Sequence, residues 1–281
     1  MSRRLFNKVA IIGVGLIGGS LGMVIKKKGL ARQVMGLARR SRTIREAIRQ
    51  RAVDKGTLDF KTAIQEADLV VLATPVETII SSVSKIKKFL KKGCIVIDVG
   101  SCKKKIVEVL ERKLPKGIAF VGTHPLAGSE KKGVNFAQAN LFEDTLCLLT
   151  PTSKTKVLAL KKIKKLWQAV GAEVEILKPD THDKILATVS HLPHVLAFSL
   201  IKSIPAGHLP FSPRSLKEIT RIASSDPVLW KDVFFNNSGN VLKAIRDFQT
   251  RLNELKKSIA RRDAAGTLRF LQQAKQKRDS I

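Results

Sequence analysis

Lys8-Val9-Ala10-Ile11-Ile12-Gly13-Val14-Gly15-Leu16-Ile17-Gly18-Gly19-Ser20 decides how the rest of the chain is read. The apolar run to Ile12 has the character of a strand. It stops at Gly13, and a helical spacing of Leu16, Ile17, Leu21 and Val24 follows at once. Glycines 13, 15 and 18 stand at the G-x-G-x-x-G spacing that joins a strand to a helix N-terminus around a dinucleotide. Gly13 permits the tight turn, Gly15 lets the backbone approach a pyrophosphate, and Gly18 lets the helix sit close on its strand. Unpaired N–H groups at the helix start favour the phosphates. Gly13, Gly15, Leu16, Ile17 and Gly18 are therefore the expected cofactor-binding turn, against the blander alternative of an ordinary glycine-rich turn.

The next apolar segment, Gln33 to Ala38, reads as a second strand ending in Arg39-Arg40-Ser41-Arg42. NAD-selective folds carry an acid near this point for the ribose hydroxyls, whereas arginine accommodates a 2′-phosphate. With no acid and several cations here, Arg39 and Arg40 predict NADP as the preferred cofactor, with NAD still possible. A merely basic surface turn is the competing reading.

Further on, Asp68 to Ala73 is a buried strand closed by Thr74-Pro75, and a helix follows with Ile79, Ile80, Val83, Ile86 and Leu90 on one face. Cys94 to Val99 forms another strand, Gly100-Ser101 a turn, and Ile106, Val109 and Leu110 the next helix. Ile118 to Gly122 is a strand leading into Thr123-His124-Pro125-Leu126-Ala127-Gly128-Ser129-Glu130. The strand Leu146 to Leu149, a helix through Val157, Leu160, Ile163 and Trp167, and the strand Glu173 to Leu177 continue the alternation. Such alternation predicts an α/β fold, a Rossmann-type doubly wound parallel sheet. From Pro179 only helical patterns remain. The expected division is a dinucleotide-binding domain over 1–178 and an all-helical domain over 179–281.

Ligands of open α/β sheets bind outside the carboxyl ends of the strands. Thr74, Ser101 and His124 each follow a strand and are expected at that edge. A histidine near its unperturbed pKa suits a general base for an alcohol being oxidised, and Ser101 also fits a helix N-cap. In the helical half, His191 lies in Ser190-His191-Leu192-Pro193-His194, and Arg221 precedes a capping-like Ser-Ser-Asp-Pro. His191 could be a packed core histidine. Arg221 could be a helix-end cation or a two-pronged carboxylate clamp. Val241, Ile245, Phe248, Leu252, Leu255 and Ile259 recur at coiled-coil spacing and need a partner helix, in the same subunit or across a dimer.

Length and composition narrow the class. A chain of 281 residues exceeds one usual core. No run of about eighteen uncharged apolar residues occurs, so no membrane span is expected. The basic N-terminus precedes the glycine strand and is not a signal peptide. Cys94, Cys102 and Cys147 cannot all pair and lack metal-ligand spacing, which points to a reduced, cytoplasmic setting. A net charge of +29 raises nucleic acid as a partner. The lysines, however, fall in small groups such as Lys26-Lys27-Lys28 and Lys103-Lys104-Lys105, as on solvated helix faces, and no nucleic-acid module accompanies them.

The motifs together resemble the prephenate and arogenate dehydrogenase family of tyrosine biosynthesis. The matching pieces are Gly13-Val14-Gly15-Leu16-Ile17-Gly18-Gly19-Ser20, Ala73-Thr74-Pro75-Val76, Asp98-Val99-Gly100-Ser101-Cys102-Lys103, His124-Pro125-Leu126-Ala127-Gly128, Ser190-His191-Leu192-Pro193-His194 and Thr220-Arg221-Ile222-Ala223 with Trp230. The resemblance implies NAD(P)-dependent oxidative decarboxylation of a cyclohexadienol, prephenate or alternatively arogenate. It assigns His124 to the ring hydroxyl proton, Ser101 to orienting that hydroxyl, and Arg221 to the ring carboxylate. His191 and Ser129 are implied as further substrate contacts and 179–281 as the substrate-binding domain, while the heptad seam from Val241 to Ile259 predicts a homodimer through that domain. Neither a C-terminal regulatory domain nor a preceding chorismate mutase segment is expected. A β-hydroxyacid or imine oxidoreductase shares the glycine fingerprint and the helical second half, but its lysine motif is absent. A dinucleotide-sensing protein without turnover is the reading from another class.

Overall fold

Alternate residues of the first strand face opposite cores: Val9 and Ile11 belong to one buried cluster, Ala10 and Ile12 to the other. A strand covered on both sides reads as an unbroken apolar run, which is why the sequence around Gly13 is so legible. The computed structural model describes residues 4–280. Its eight strands are β1 (Phe6–Ile12), β2 (Ala31–Leu37), β3 (Lys55–Thr57), β4 (Leu69–Leu72), β5 (Ile95–Asp98), β6 (Ala119–Pro125), β7 (Leu146–Thr150) and β8 (Glu173–Ile176). They form one sheet in the order β3-β2-β1-β4-β5-β6-β7-β8.

Helices α1 (Leu16–Lys27), α2 (Ser41–Arg49), α3 (Phe60–Ile64), α4 (Val76–Ile86), α5 (Lys104–Lys113) and α6 (Val157–Ala169) alternate with the strands. Leu21, Val24 and Ile25 of α1 and Ile163, Leu166 and Trp167 of α6 fill one core. Ile79, Val83 and Ile86 of α4 and Ile106, Val107 and Leu110 of α5 fill the other. The fold is the expected Rossmann-type α/β sheet with a helical C-terminal region, with one correction. The pairing from β1 to β6 is parallel, but β7 runs antiparallel to β6, with His124 opposite Leu148 and Gly122 opposite Thr150. The connection from Pro125 to Leu146 holds only a 3-10 turn, Val134–Phe136, instead of a crossover helix, so the chain returns along the edge it left. An apolar run does not record its direction, so nothing in Leu146 to Leu149 distinguished the two orientations.

Beyond β8 the chain is helical: α7 (Pro179–Leu186), α8 (Leu192–Ser203), α9 (Arg214–Thr220), α10 (Pro227–Asn236), α11 (Ser238–Ala260) and α12 (Ala264–Arg278). Between α7 and α8 the helix widens into a π turn, Ala187–His191. Pro193 follows in the first turn of α8 and has no N–H to return to the preceding turn, a local cause for the wider winding. The stretch Pro179–Ser203 is long and apolar enough to cross a membrane by length and composition alone, a test that core helices also pass. Three polar residues on it are buried: His182 meets His124 and Asp183 meets Lys103 of the sheet domain, and His191 meets Asn237. Trp230 and Val233 of α10 pack into the core beneath α4 and α5, anchoring the helical region to the sheet.

One group of lysines departs from the solvated-face reading. Lys103 is fully buried, at 0% exposure, while Lys104 and Lys105 are exposed. In α11 the heptad positions begin buried at Val241 and emerge toward the C-terminus, where Leu252 is 50% and Ile259 61% exposed.

Candidate active site

The glycine turn has the shape its spacing predicts. Gly13 has φ +98°, and a Cβ there would lie 2.4 Å from the Ala73 carbonyl oxygen. A Cβ on Gly18 would lie 2.1 Å from the Gly13 oxygen, so α1 is seated directly on β1. At Gly15 an added Cβ meets nothing within 4 Å, so the backbone is open on the side a ligand would approach. Leu16 and Ile17 form the half-buried first turn of α1, which carries no acidic residue. Thr74 stands against Gly13 at the end of β4, and its hydroxyl is buried without a partner among the described residues. An open glycine backbone, a helix N-terminus free of acids and an orphaned hydroxyl fit a dinucleotide phosphate bridge and its ribose. The Gly13 N–H donates to the Leu37 carbonyl at 2.9 Å, fixing the end of β2 beside the turn. Arg39 and Arg40 follow at that edge, exposed and without a carboxylate partner among the described residues.

His124 lies within β6, not after it as expected, and is buried. Its Nδ1 is 2.9 Å from His182 Nε2, and His182 Nδ1 is 2.8 Å from Asp183 Oδ1. The Asp183 carboxylate accepts the Lys103 N–H at 2.7 Å and the Lys104 N–H at 3.0 Å. Beneath this chain, the Lys103 ammonium pairs with Asp98 and donates to the Thr123 carbonyl at 2.7 Å. Asp98 in turn accepts the Gly100 N–H at 2.9 Å. Burial raises the Asp98 carboxyl above its ordinary range, with Lys103 opposing it. Burial pushes His124 well below the usual imidazole value, and His182, Lys103 and His191 add to the effect. The unperturbed histidine of the sequence reading is thus corrected to a strongly depressed one. A fully desolvated imidazole beside a buried ammonium resists a second proton.

Ser101 sits half-buried in the turn from β5 to α5. The expectation that it caps a helix is not met: the N-cap position is Lys103, and the N–H groups of Lys103 and of Lys104, the first residue of α5, are taken by Asp183 from the helical region. His191 is buried at the end of the π turn, with Nδ1 3.2 Å from Asn237 Nδ2. Asn237 also donates from Nδ2 to the Asp183 carbonyl at 2.7 Å, which fixes its amide orientation and makes His191 Nδ1 an acceptor. His191 Nε2 consequently carries the proton, and it is buried without a partner among the described residues. Burial lowers the His191 pKa to about 4. His194 stacks on Trp230 at a centroid distance of 3.4 Å.

Arg221 directly follows α9 and is exposed, with Nη1 2.9 Å from Glu130 Oε2. It also lies close enough to lower the pKa of His194, though less than burial does. Ser129 is exposed in the loop after β6, its hydroxyl accepting the Lys131 N–H at 3.2 Å. That loop approaches the glycine turn, since a Cβ on Gly128 would be 3.8 Å from Ile17 Cδ1.

Sequence reading overlooked His182, Asp183, Lys103, Glu130 and Asn237. A signal was available for the first two: on α7 they share faces with buried Leu186 and Ala187, four residues on, so titratable groups stood at core positions of an amphipathic helix. For Glu130 and Asn237 the local pattern held none.

Two family models together match almost the whole chain. Residues 21–176 match the prephenate dehydrogenase nucleotide-binding domain, and 178–273 the prephenate dehydrogenase dimerization domain. The chain is 31% identical to the prephenate dehydrogenase of Bacillus subtilis over 98% of its own length and 76% of that protein. It is 33% identical to the cyclohexadienyl dehydrogenase of Zymomonas mobilis, covering 97% of this chain and 95% of the other. Among solved structures it is similar to prephenate dehydrogenase from A. aeolicus in complex with hydroxyphenyl propionate and NAD+. That similarity has a TM-score of 0.91 at 37% identity, covering 100% of this chain and 99% of the other.

Proposed function

The chain belongs to the prephenate dehydrogenase family of nicotinamide-dependent oxidoreductases, and from that premise we propose that it converts prephenate to 4-hydroxyphenylpyruvate with loss of carbon dioxide. The observation that carries the reading is His124: buried, depressed in pKa, at the carboxyl edge of the sheet, with no hydrogen-bond partner on Nε2 among the described residues. An imidazole that stays neutral well below pH 6.5 is ready to take a hydroxyl proton at physiological pH. Ser101, half-buried on the neighbouring turn, supplies a hydroxyl that orients the substrate alcohol. Arg221 holds the ring carboxylate through its planar guanidinium, exchanging Glu130 for the substrate. The partnerless Nε2–H of buried His191 donates to the substrate side chain. Ser129 borders the entrance.

Gly13, Gly15, Leu16, Ile17, Gly18 and Thr74 would hold the dinucleotide, whose nicotinamide supplies a hydride acceptor when bound. Removal of the hydroxyl proton by His124 and of hydride from the carbinol carbon leaves a ring ketone. Loss of the ring carboxylate as carbon dioxide then yields the aromatic phenol. NADP is the favoured cofactor, because two unpaired arginines and no acid follow β2. Residues 1–178 act as the dinucleotide domain and 179–281 as the substrate and dimerisation domain, in a cytoplasmic homodimer.

Initial rates with prephenate and arogenate, each with NAD and NADP, test the assignment. Prephenate turnover with NADP favoured is expected, and arogenate turnover alone would replace the substrate. His124→Asn should lower turnover by roughly 10²- to 10⁴-fold, the range for lost acid–base catalysis. Wild-type turnover in that variant would remove His124 from the chemistry.

A further inference from the structure

The carboxylate of Asp183 is anchored by the backbone N–H groups of Lys103, the N-cap of α5, and of Lys104, its first residue, at 2.7 Å and 3.0 Å, the positive end of a helix. Both carboxylate oxygens take backbone N–H groups, and a carboxylate can only accept hydrogen bonds. The 2.8 Å contact with His182 Nδ1 therefore requires the proton on that nitrogen. A neutral His182 then has its lone pair on Nε2, the atom 2.9 Å from His124 Nδ1. His124 must donate from Nδ1, which leaves the lone pair on Nε2. Any other assignment with both rings neutral sets two donors or two lone pairs against one another along this chain.

We propose that His182 and Asp183 are positioning residues that lock His124 in its Nδ1–H tautomer, so that Nε2 is free to accept the substrate proton, and that they share the resulting positive charge. The inference rests on the reading of His124 as the base. It adds a second imidazole between that base and its carboxylate. When a proton arrives at His124 Nε2, the Nδ1 proton shifts toward His182 Nε2. The cation then stands against Asp183, with no change in total charge beyond the one proton taken up.

The surroundings suit a pair that is neutral at rest. Around His124 and His182 stand the Lys103 ammonium with Asp98 from the β5–α5 side, Cys147 on β7, Asp183 on α7 and His191 on the π turn. Burial depresses both imidazoles, and only His182 has a carboxylate directly opposing that effect. Substrate-derived charge is therefore best accommodated on His182, one residue farther from the reacting hydroxyl. The chain also crosses the molecule: His124 is on the sheet, His182 and Asp183 are on the first helix after it, and Asp183 caps α5 back in the sheet domain. Docking of the helical region and the tautomer of the base are thereby one arrangement.

Nitrogen-15 spectra of histidine-labelled protein read the tautomer directly. Wild type should show His124 protonated on Nδ1 at pH 7.5. In Asp183→Asn the oxygen in the Oδ1 place still accepts from the Lys103 N–H and from His182 Nδ1, so the tautomer should persist while the negative charge opposing the shared cation is lost. Turnover of that variant should fall by roughly 10- to 100-fold with Michaelis constants little changed, the cost of losing an outer-shell partner of the base. Because Asp183 also caps α5, His182→Gln provides a second arm that leaves the cap intact. Its side-chain oxygen still accepts the His124 Nδ1–H, so the tautomer should persist while turnover falls roughly 10- to 100-fold, the cost of losing an outer-shell partner. A wild-type His124 on Nε2–H, or wild-type turnover and pH profile in His182→Gln, overturns the proposal. If His124→Asn retains turnover while the spectra show the Nδ1–H tautomer, the base assignment fails and the hydrogen-bond arrangement stands, so the two failures are separable.

Discussion

Arg221 and Glu130 form an ion pair at 2.9 Å that joins the loop after β6 to the end of α9, with the arginine 63% and the glutamate 30% exposed. Solvent screens such a pair, so it contributes little to stability, about 0–1 kcal/mol. Its consequence lies in binding. A substrate carboxylate reaching Arg221 must displace Glu130, so Arg221→Ala should raise the substrate Michaelis constant about 10- to 100-fold, corresponding to a charge-assisted hydrogen bond of roughly 1.5–3 kcal/mol. Arg221→Lys should fall between, since the charge remains and the planar fork is lost. The melting temperature and cofactor affinity should hardly move. A drop in melting temperature with an unchanged substrate constant would instead make Arg221 a structural cation.

The pH response follows from four depressed histidines. His124, His182, His191 and His194 are all pushed below 6.5 chiefly by burial, His191 to about 4. The unfolded chain binds protons on these rings as pH falls through 6.5, whereas the folded chain does not until lower pH. Their stabilising contribution is therefore complete above about pH 6.5 and declines as pH falls toward 4, the value at His191. Calorimetry from pH 7.5 down to 4.5 should show a falling melting temperature. The acidic limb of turnover should likewise lie below the usual histidine range, because His124 stays neutral there. A flat melting curve through this window would contradict the burial of these rings.

Much of the fold was legible because its signals are local. The strand and turn around Gly13 announce themselves by apolar periodicity and by the steric need for glycine against Ala73 and Gly13's own carbonyl. The direction of β7 did not, since antiparallel return depends on a loop whose path is set by tertiary packing. In the site, His124, Ser101 and Arg221 were legible as polar residues ending elements. His182, Asp183 and Lys103 were hidden for one shared reason. Their roles arise only when α7 docks on the start of α5, a contact between residues 80 apart in the chain.

The proposed preference for NADP rests on the edge of β2. Arg39 and Arg40 are exposed, and neither pairs with a carboxylate among the described residues, so both are available to a 2′-phosphate. Replacing both by Ser should raise the Michaelis constant for NADP at least tenfold while that for NAD changes little, if each loses a charge-assisted contact of about 1.5 kcal/mol or more. Equal changes for the two cofactors would make the arginines part of a general basic surface.

The last expectation concerns α11, whose heptad seam is covered at one end only. Val241 is 4% exposed and Ala244 3%, packed within the subunit, whereas Leu252 and Ile259 stand 50% and 61% exposed. Helix α12 beside it buries no residue and adds exposed Leu268 and Leu271 at 56% and 53%. Apolar positions at a strict heptad spacing that emerge from their own subunit need a facing surface, and a second copy supplies a self-complementary one. Leu252→Asp with Ile259→Asp should therefore convert a dimer into a monomer in light scattering. The sheet domain should keep its fold, because neither residue contributes to either sheet core. Val241→Asp serves as the contrast: it strikes the buried end and should unfold the helical region at any concentration. If the double variant remains dimeric, the subunits meet elsewhere, and the exposed half of the seam has no part in assembly.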